Sequence, residues 1–221
     1  MKDPTDPPRE SRPHRDEIPS DPDTLARREA RNGLRQFDAA YAFIADKVRA
    51  SEPFRLRPSH ALMLNRFAID GINPYAGVYR PHAIKITNSE HNPPPPEEVP
   101  GLIEKMCHYI NQNWNKSAVH LGAYILWRMN WIHSFDDGNG RTSRMLSYVV
   151  LCIRLGYNLP IINTIPDQVS KNKSPYFRGL EAADRAWKTE HIDVGALEEL
   201  LSNLLAAQLA KVVDDAERSR D

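Results

Sequence analysis

The chain has 221 residues, 41% of them hydrophobic, with 29 Lys+Arg balanced by 29 Asp+Glu, which is enough for one substantial domain with additions. The even charge argues against bulk electrostatic attraction to nucleic acid, no run is long and apolar enough to cross a bilayer, and two cysteines, Cys107 and Cys152, cannot build a disulfide framework. With no apolar signal-peptide core at the N-terminus, the expectation is a cytoplasmic protein with reduced, buried thiols and neither a membrane nor a nucleic-acid partner.

In chain order, residues 1–22 are proline-rich and charged and read as a disordered tail. Residues 23–54 hold an N-terminal helix, capped by Asp23 or Thr24 and running to about Ala50. Leu34, Phe37, Tyr41, Ile44 and Val48 mark its apolar face. Residues 55–213 read as the main domain. Its first helix spans Ser59 to Ile69, packs through Leu62, Leu64 and Phe67, and stops at Gly71. Val78, Tyr79, Ile84 and Ile86, interrupted by Pro81 and His82, predict a short β-hairpin, and Pro93–Pro96 an extended connector. Glu97 and Glu98 suit the first turn of a further helix, which carries Leu102, Ile103, Met106, Tyr109 and Ile110. Ser117–Ile132 is apolar on nearly every face and belongs at the centre of a domain, with His120 a structural histidine and Trp127 and Trp131 as packing residues. A similar helix runs from Thr142 to Leu155 and ends at Gly156. Helices at Ser174–Lys188 and Asp193–Val213 follow, and residues 214–221 form a solvated, charged end. The fold class is all-α with one small β-hairpin.

Between the two most apolar helices lies His133-Ser-Phe-Asp-Asp-Gly-Asn-Gly-Arg-Thr-Ser-Arg144. Gly138 and Gly140 permit unusual backbone geometry and close approach of a ligand to the main chain. The helix that follows presents unpaired N–H groups to the loop, which makes an anion site. Arg141 and Arg144, three apart, share a helix face and suit a polyphosphate. Asp137 is a hard oxygen ligand fit for Mg²⁺. His133, whose imidazole titrates near neutrality, can take a proton from an attacking hydroxyl. Taken singly, a histidine at a helix end is most often a cap and Gly-Asn-Gly a turn. Eight specified positions at a frequency of ~0.05 each do not coincide by chance in one chain of this length.

The segment resembles the signature of Fic domains, His-x-Phe-x-(Asp/Glu)-Gly-Asn-Gly-Arg-x-x-Arg, at His133, Phe135, Asp137, Gly138, Asn139, Gly140, Arg141 and Arg144. The likeness extends over Ala76–Ile86 and Pro93–Pro100 and to Leu180–Asp184, so that roughly Arg55 to Leu205 is covered. The resemblance implies an all-α domain with a hairpin flap that transfers AMP from ATP to a Ser, Thr or Tyr hydroxyl of a target protein. By it, His133 is the general base, and Asp137 holds Mg²⁺ across the α- and β-phosphates. Gly138, Asn139 and Gly140 form the anion hole. Arg141 meets the β-phosphate and Arg144 the γ-phosphate, Phe135 anchors the loop, and Tyr176 lies near the adenine. The flap at His82, Ala83, Ile84, Lys85 and Ile86 pairs with an extended segment of the target. Ser134 departs from the proline common after the histidine. Gly140 sets the chain apart from the related Doc branch, which has lysine there and transfers phosphate.

Many such proteins carry an inhibitory helix, (Ser/Thr)-x-x-x-Glu-(Gly/Asn), whose glutamate pairs with the second signature arginine. The nearest match here is Thr24 to Glu29, five apart rather than four, with Ala30 in place of Gly or Asn. Glu29 is therefore the inhibitory candidate and Arg144 its expected partner, against the plainer reading of a solvated helix glutamate. The sequence leaves open another nucleotide, removal of AMP, self-modification, a homo-oligomer, a toxin held by a separate antitoxin, and a non-catalytic nucleotide-binding module.

Overall fold

The computed structural model describes residues 21–50, 53–87, 89 and 91–218. The expected tail therefore lies outside the described residues except for its last two positions, as do residues 219–221 of the charged end. Among the described residues the chain forms eight α-helices and one 3-10 turn, with no β-strand.

Helix α1 spans Pro22–Arg49 and is capped by Asp21, earlier than expected, whose carboxylate accepts the Thr24 N–H at 2.8 Å. The apolar face expected of α1 packs on the core at Phe37, Ile44 and Val48, but the contact does not include Leu34 and has a polar part beside it. Asn32, Gln36, Ala40 and Ile44 are buried, whereas Leu34 is 69% exposed. Polar side chains do the docking: Asn32 donates to the carbonyl of Asp70 at 2.8 Å and Gln36 to that of Leu64 at 2.9 Å, while Arg28 donates to that of Gly71 at 2.8 Å. These acceptors lie on and just after α2 (Pro58–Ile69). Three carbonyls there find donors on α1, which sets the register of the helix pair.

A 3-10 turn at Pro96–Glu98 leads into α3 (Val99–Gln112). Next comes α4 (Ala118–Ile132), capped by Ser117, whose hydroxyl accepts the His120 N–H at 3.0 Å. Helix α5 (Asn139–Leu155) starts three residues before the expected Thr142 and ends at Gly156. These two helices form the antiparallel centre of the fold. They approach closely because Gly122 has no side chain: Ser147 Oγ donates to the Gly122 carbonyl at 2.9 Å, and a Cβ at Gly122 would stand 3.1 Å from that oxygen. Both faces of α4 and α5 are buried, which is why their sequences are apolar nearly all round. Helices α1 and α2 pack on α5, and α3 packs on α4.

A short helix, α6 (Ile165–Lys171), was not expected from the sequence; Thr164 caps it, and seven residues are too few to show a periodic stripe. Helices α7 (Ser174–Trp187) and α8 (Gly195–Arg218) complete the bundle against α4. His120 is structural, as its setting suggested: Nδ1 lies 2.7 Å from Glu198 Oε1 and Nε2 3.0 Å from the Tyr109 hydroxyl, joining α3, α4 and α8. Both thiols are free and buried. The Arg128 guanidinium lies 4.2 Å from the Trp131 ring centroid and 4.8 Å from that of Trp187, a cation–π cluster between α4 and α7.

The expected hairpin does not form among the described residues. Residues 82–86 run as an irregular, largely exposed segment. Two causes are visible. Pro81 lacks the N–H that cross-strand pairing needs. The Arg80 guanidinium also takes the carbonyl of His82, at the expected turn, and that of Pro94 in the connector beyond it, holding the chain to itself.

The register of α1 is testable by paired substitutions. Ile44→Ala, at a fully buried site, should cost about 2–5 kcal/mol in urea unfolding. Leu34→Ala should change stability by less than about 0.5 kcal/mol; the reverse order would refute the docking described.

Candidate active site

The loop from His133 to Gly138 is fixed from below by two residues. Phe135 is fully buried and stacks on Tyr79, with ring centroids 6.1 Å apart. Asn139 faces inward as well: its Oδ1 accepts the Phe135 N–H at 2.9 Å and its Nδ2 donates to the Phe135 carbonyl at 2.7 Å. The Asn139 side chain thus closes the loop, and only its main chain is left for a ligand. Gly138 is the N-cap of α5 with φ 76°, and a Cβ there would meet Ile69 Cγ2 at 2.8 Å. Both the left-handed conformation and the contact with α2 require glycine.

His133 ends α4 in the left-handed region, with φ 50° and ψ 60°. Its Nδ1 lies 3.3 Å from the Asn130 carbonyl. A carbonyl only accepts, so Nδ1 carries the proton and Nε2 keeps a lone pair. Burial lowers the His133 pKa to about 4, opposed by the Asn130 hydrogen bond and assisted by the positive field of Arg80 and by His91. The imidazole is therefore neutral at pH 7.

Asp137 Oδ1 accepts the Gly138 N–H at 2.5 Å, and its Oδ2 lies 3.1 Å from Arg141 Nη2. The carboxylate remains 46% exposed, open to a cation. Arg141 reaches Glu29 as well, Nη1 to Oε1 at 3.5 Å. Among the described residues the ion pair of Glu29 is thus with the first signature arginine, not with Arg144 as expected. Each turn of α5 rotates its side chains, and α1 crosses on the side where Arg141 emerges. Arg144 lies deeper. Its pKa falls through burial and is supported by Tyr176. A Cβ at Gly140 would come within 3.1 Å of Arg144 Nη1. Tyr176 is itself 1% exposed, its hydroxyl 2.7 Å from Asn130 Nδ2. Its ring is buried in the wall rather than presented as a stacking surface, although it lines the same space.

These residues share one cavity of about 670 Å³. His133, Asp137, Gly138, Asn139, Gly140, Arg141, Arg144 and Tyr176 all line it, together with Ile86 of the flap segment. His82, Ala83, Ile84 and Lys85 lie outside its lining, and Phe135 lies beneath it.

Several residues that build the site were missed in the sequence. Asn65 is fully buried: its Nδ2 donates to the Asp137 carbonyl at 2.9 Å and its Oδ1 accepts the Gly77 N–H at 3.0 Å, tying the loop to the base of the flap. An asparagine inside the apolar run of α2 was the available signal. Asp136 receives Asn73 Nδ2 at 2.5 Å and His82 Nε2 at 2.6 Å. Arg80 reaches the carbonyl of His133 at 2.7 Å. Asp184 lines the cavity beside Trp127, and burial raises its pKa against the hydrogen bond from the Trp127 indole. Neither Asp136, Arg80 nor Asp184 stands out by spacing.

Comparison with known proteins places this site in a family. The Fic/DOC family profile matches residues 55–151, the stretch holding the flap segment, α4, the loop and most of α5. Over that stretch the chain is similar to members of the Fic/DOC family. It is 32% identical over 126 residues to "Protein adenylyltransferase Fic" of Drosophila virilis, covering 56% of this chain and 24% of that protein. The protein of the same name from Drosophila mojavensis matches at 32% over 126 residues and 23% of its length. The chain thus spans about a quarter of the length of these relatives. Among solved structures, Fic-1 from C. elegans superposes with a TM-score of 0.69 at 20% identity, over 91% of this chain and 55% of that one. A Fic domain containing signaling protein from Bacteroides thetaiotaomicron gives 0.63 at 23% identity, over 81% and 69%. These distant likenesses establish the shared helical fold.

Gly138→Ala tests the loop geometry directly. The strained φ and the contact with Ile69 should lower the unfolding free energy by about 1–3 kcal/mol. Unchanged stability would mean that the loop relaxes freely.

Proposed function

We propose that the protein is an adenylyltransferase that moves AMP from ATP to a Ser, Thr or Tyr hydroxyl of a target protein and releases pyrophosphate. The observation that carries this reading is a neutral His133 in one cavity with the N-terminus of α5 and two arginines. The name borne by the Drosophila relatives supports AMP as the transferred group.

In this reading the free N–H groups at the start of α5 and the guanidinium groups of Arg141 and Arg144 hold the phosphates, in a partly enclosed space where such contacts are strong. His133 Nε2 takes the proton of the acceptor hydroxyl as its oxygen attacks the α-phosphorus. The bond from that phosphorus to the bridging oxygen breaks, and pyrophosphate leaves with the electron pair. Among the described residues no group of three or more His, Cys, Asp or Glu converges to hold a metal unaided. Mg²⁺ needs no such cage, since one carboxylate, phosphate oxygens and water suffice. The exposed Asp137 carboxylate fits that role: it would hold Mg²⁺, whose charge offsets the charge developing on the leaving diphosphate. Because a Cβ at position 140 already crowds Arg144, a lysine there would alter the phosphate cradle, and Gly140 favours AMP transfer over phosphate transfer.

The segment His82–Ile86 is the acceptor platform in this scheme. It makes no backbone pairing with another strand among the described residues; apart from the His82 carbonyl, which accepts from Arg80, its N–H and C=O groups are available to an extended target chain. Strand addition of this kind fixes the acceptor by its main chain and reads little of its sequence.

Transfer from α-³²P-ATP and γ-³²P-ATP to a cell lysate separates the readings. The expected outcome is transfer of the α label alone, abolished in His133→Ala. Transfer of the γ label would mean phosphorylation and overturn the proposal. The pH profile offers a second check. A base with a pKa of about 4 loses activity only as pH falls toward that value. At about pH 5.5, where an unperturbed imidazole would have lost about nine-tenths of its basic form, the rate should stay close to that at about pH 7.5.

Glu29 is the inhibitory candidate in a modified form: its carboxylate competes with phosphate for Arg141. The pair is exposed on the Glu29 side, 47%, and 3.5 Å long. Exposed pairs contribute about 0–1 kcal/mol, so Glu29→Gly should raise transfer by no more than about fivefold. A gain of several hundredfold would mean that Glu29 reaches a deeper partner.

A further inference from the structure

Arg80 is 2% exposed, and its guanidinium and main chain together clasp two segments of the chain. Nε donates to the His133 carbonyl at 2.7 Å, and the Arg80 main-chain N–H donates to the Ser134 carbonyl at 3.0 Å. Nη1 donates to the His82 carbonyl at 3.0 Å, and Nη2 to that of Pro94. The side-chain acceptors are all neutral main-chain oxygens, drawn from the end of α4, from the start of the flap segment and from the proline connector after it.

We propose that Arg80 is a positioning residue for His133, holding its carbonyl so that the imidazole faces the cavity. The argument is geometric. His133 occupies a left-handed conformation that a residue with a Cβ adopts at a cost, and the surroundings must enforce it. The carbonyl and the side chain of His133 leave the same Cα. A guanidinium that fixes the carbonyl therefore fixes the direction of the Cα–Cβ bond and, with it, the path of the ring. The only hydrogen bond to the ring itself among the described residues is the long one from Nδ1 to the Asn130 carbonyl, 3.3 Å. That contact orients the ring about its own bonds but does not set where the main chain places it.

The same guanidinium ties the flap segment to His133. A hydroxyl presented along His82–Ile86 and the imidazole that deprotonates it are thereby referred to one rigid group. An arginine suits this junction because its planar fork donates in several fixed directions at once, whereas a lysine ammonium offers a compact charge with no set fan of donors. Arg80 is absent from the lining of the cavity, so it acts through His133 and not on the nucleotide.

The proposal rests on His133 being the base of the transfer reaction, and the experiment keeps the two ideas apart. Wild type, Arg80→Gln and Arg80→Lys are compared in steady-state transfer from α-³²P-ATP, and the His133 ring is observed by NMR in histidine-labelled protein, with His133→Gln for assignment. Far-UV circular dichroism and urea unfolding establish that each variant is folded. A displacement on the order of 1 Å should lower kcat for Arg80→Gln by about 10²-fold while KM for ATP holds. The His133 ring resonances should move or broaden, and Arg80→Lys should recover part of both. Should Arg80→Gln fail to fold, Arg80→Lys carries the test, with kcat reduced, KM for ATP held and a displaced His133 signal expected. An unchanged kcat in a folded variant, a rise in KM for ATP with kcat intact, or an unmoved His133 signal would overturn the proposal. If wild type transfers no label at all, the adenylyl-transfer reading fails, and the His133 resonances alone decide whether Arg80 positions the ring.

Discussion

The site depends on a side chain that never meets a ligand. Asn139 receives the N–H of Phe135 and donates to its carbonyl, and Phe135 is wholly buried. This pair of hydrogen bonds folds the chain between α4 and α5 back on itself within a few residues. It places Gly138 at the start of α5 and leaves the first N–H groups of that helix facing the cavity. Without the closure those donors would have no fixed direction, and the macrodipole of a 17-residue helix would point at nothing in particular. The loop satisfies its own polar groups from inside the protein, so its outer amides are free for an anion.

Three further tethers join this loop to the rest of the fold, each from a different direction. Asn65 connects the Asp137 carbonyl to the Gly77 N–H, Asp136 receives Asn73 and His82, and Arg80 connects His133 to His82 and to Pro94 in the connector. Each tether has one end in the signature loop and the other in residues 65–94. The signature loop and the flap region are thus braced against each other by polar contacts, most of them to main-chain atoms. Main-chain partners make the bracing insensitive to the identity of the residue that supplies them. That helps explain why the flap region shows little pattern in sequence.

The legibility of the chain followed this division. Helices whose burial is apolar announced themselves: α4 and α5 were plain from Val119–Ile132 and Met145–Ile153, and the signature between them from its glycines and arginines. What could not be read depended on polar contacts between distant segments. On α1 the apolar face was legible at Phe37, Ile44 and Val48, but the polar part of the contact was not, because hydropathy counts Asn32 and Gln36 as surface. The hairpin was expected because Val78, Tyr79, Ile84 and Ile86 favour strands, but local preference yields when a guanidinium claims the carbonyl at the expected turn and another in the connector beyond. Glu29 was assigned Arg144 because the motif was matched by residue type, and which arginine it meets depends on how α1 crosses α5. The short α6 offered no period to detect.

The position of α1 also bears on how the site is controlled. Its contacts with the main domain at Asn32, Gln36 and Arg28 fasten it along α2, and that anchoring brings Glu29 to the rim of the cavity beside Arg141. A carboxylate held at the rim differs from one buried against Arg144. A rim pair is screened by water and salt, and a polyphosphate with several negative oxygens can displace it at little cost. A buried pair would have to be broken inside a low-dielectric space, at the cost of stranding one charge. Under the proposed function, Glu29 would therefore be the weaker kind of restraint, competing with anions for Arg141, while Arg144 is held by Tyr176.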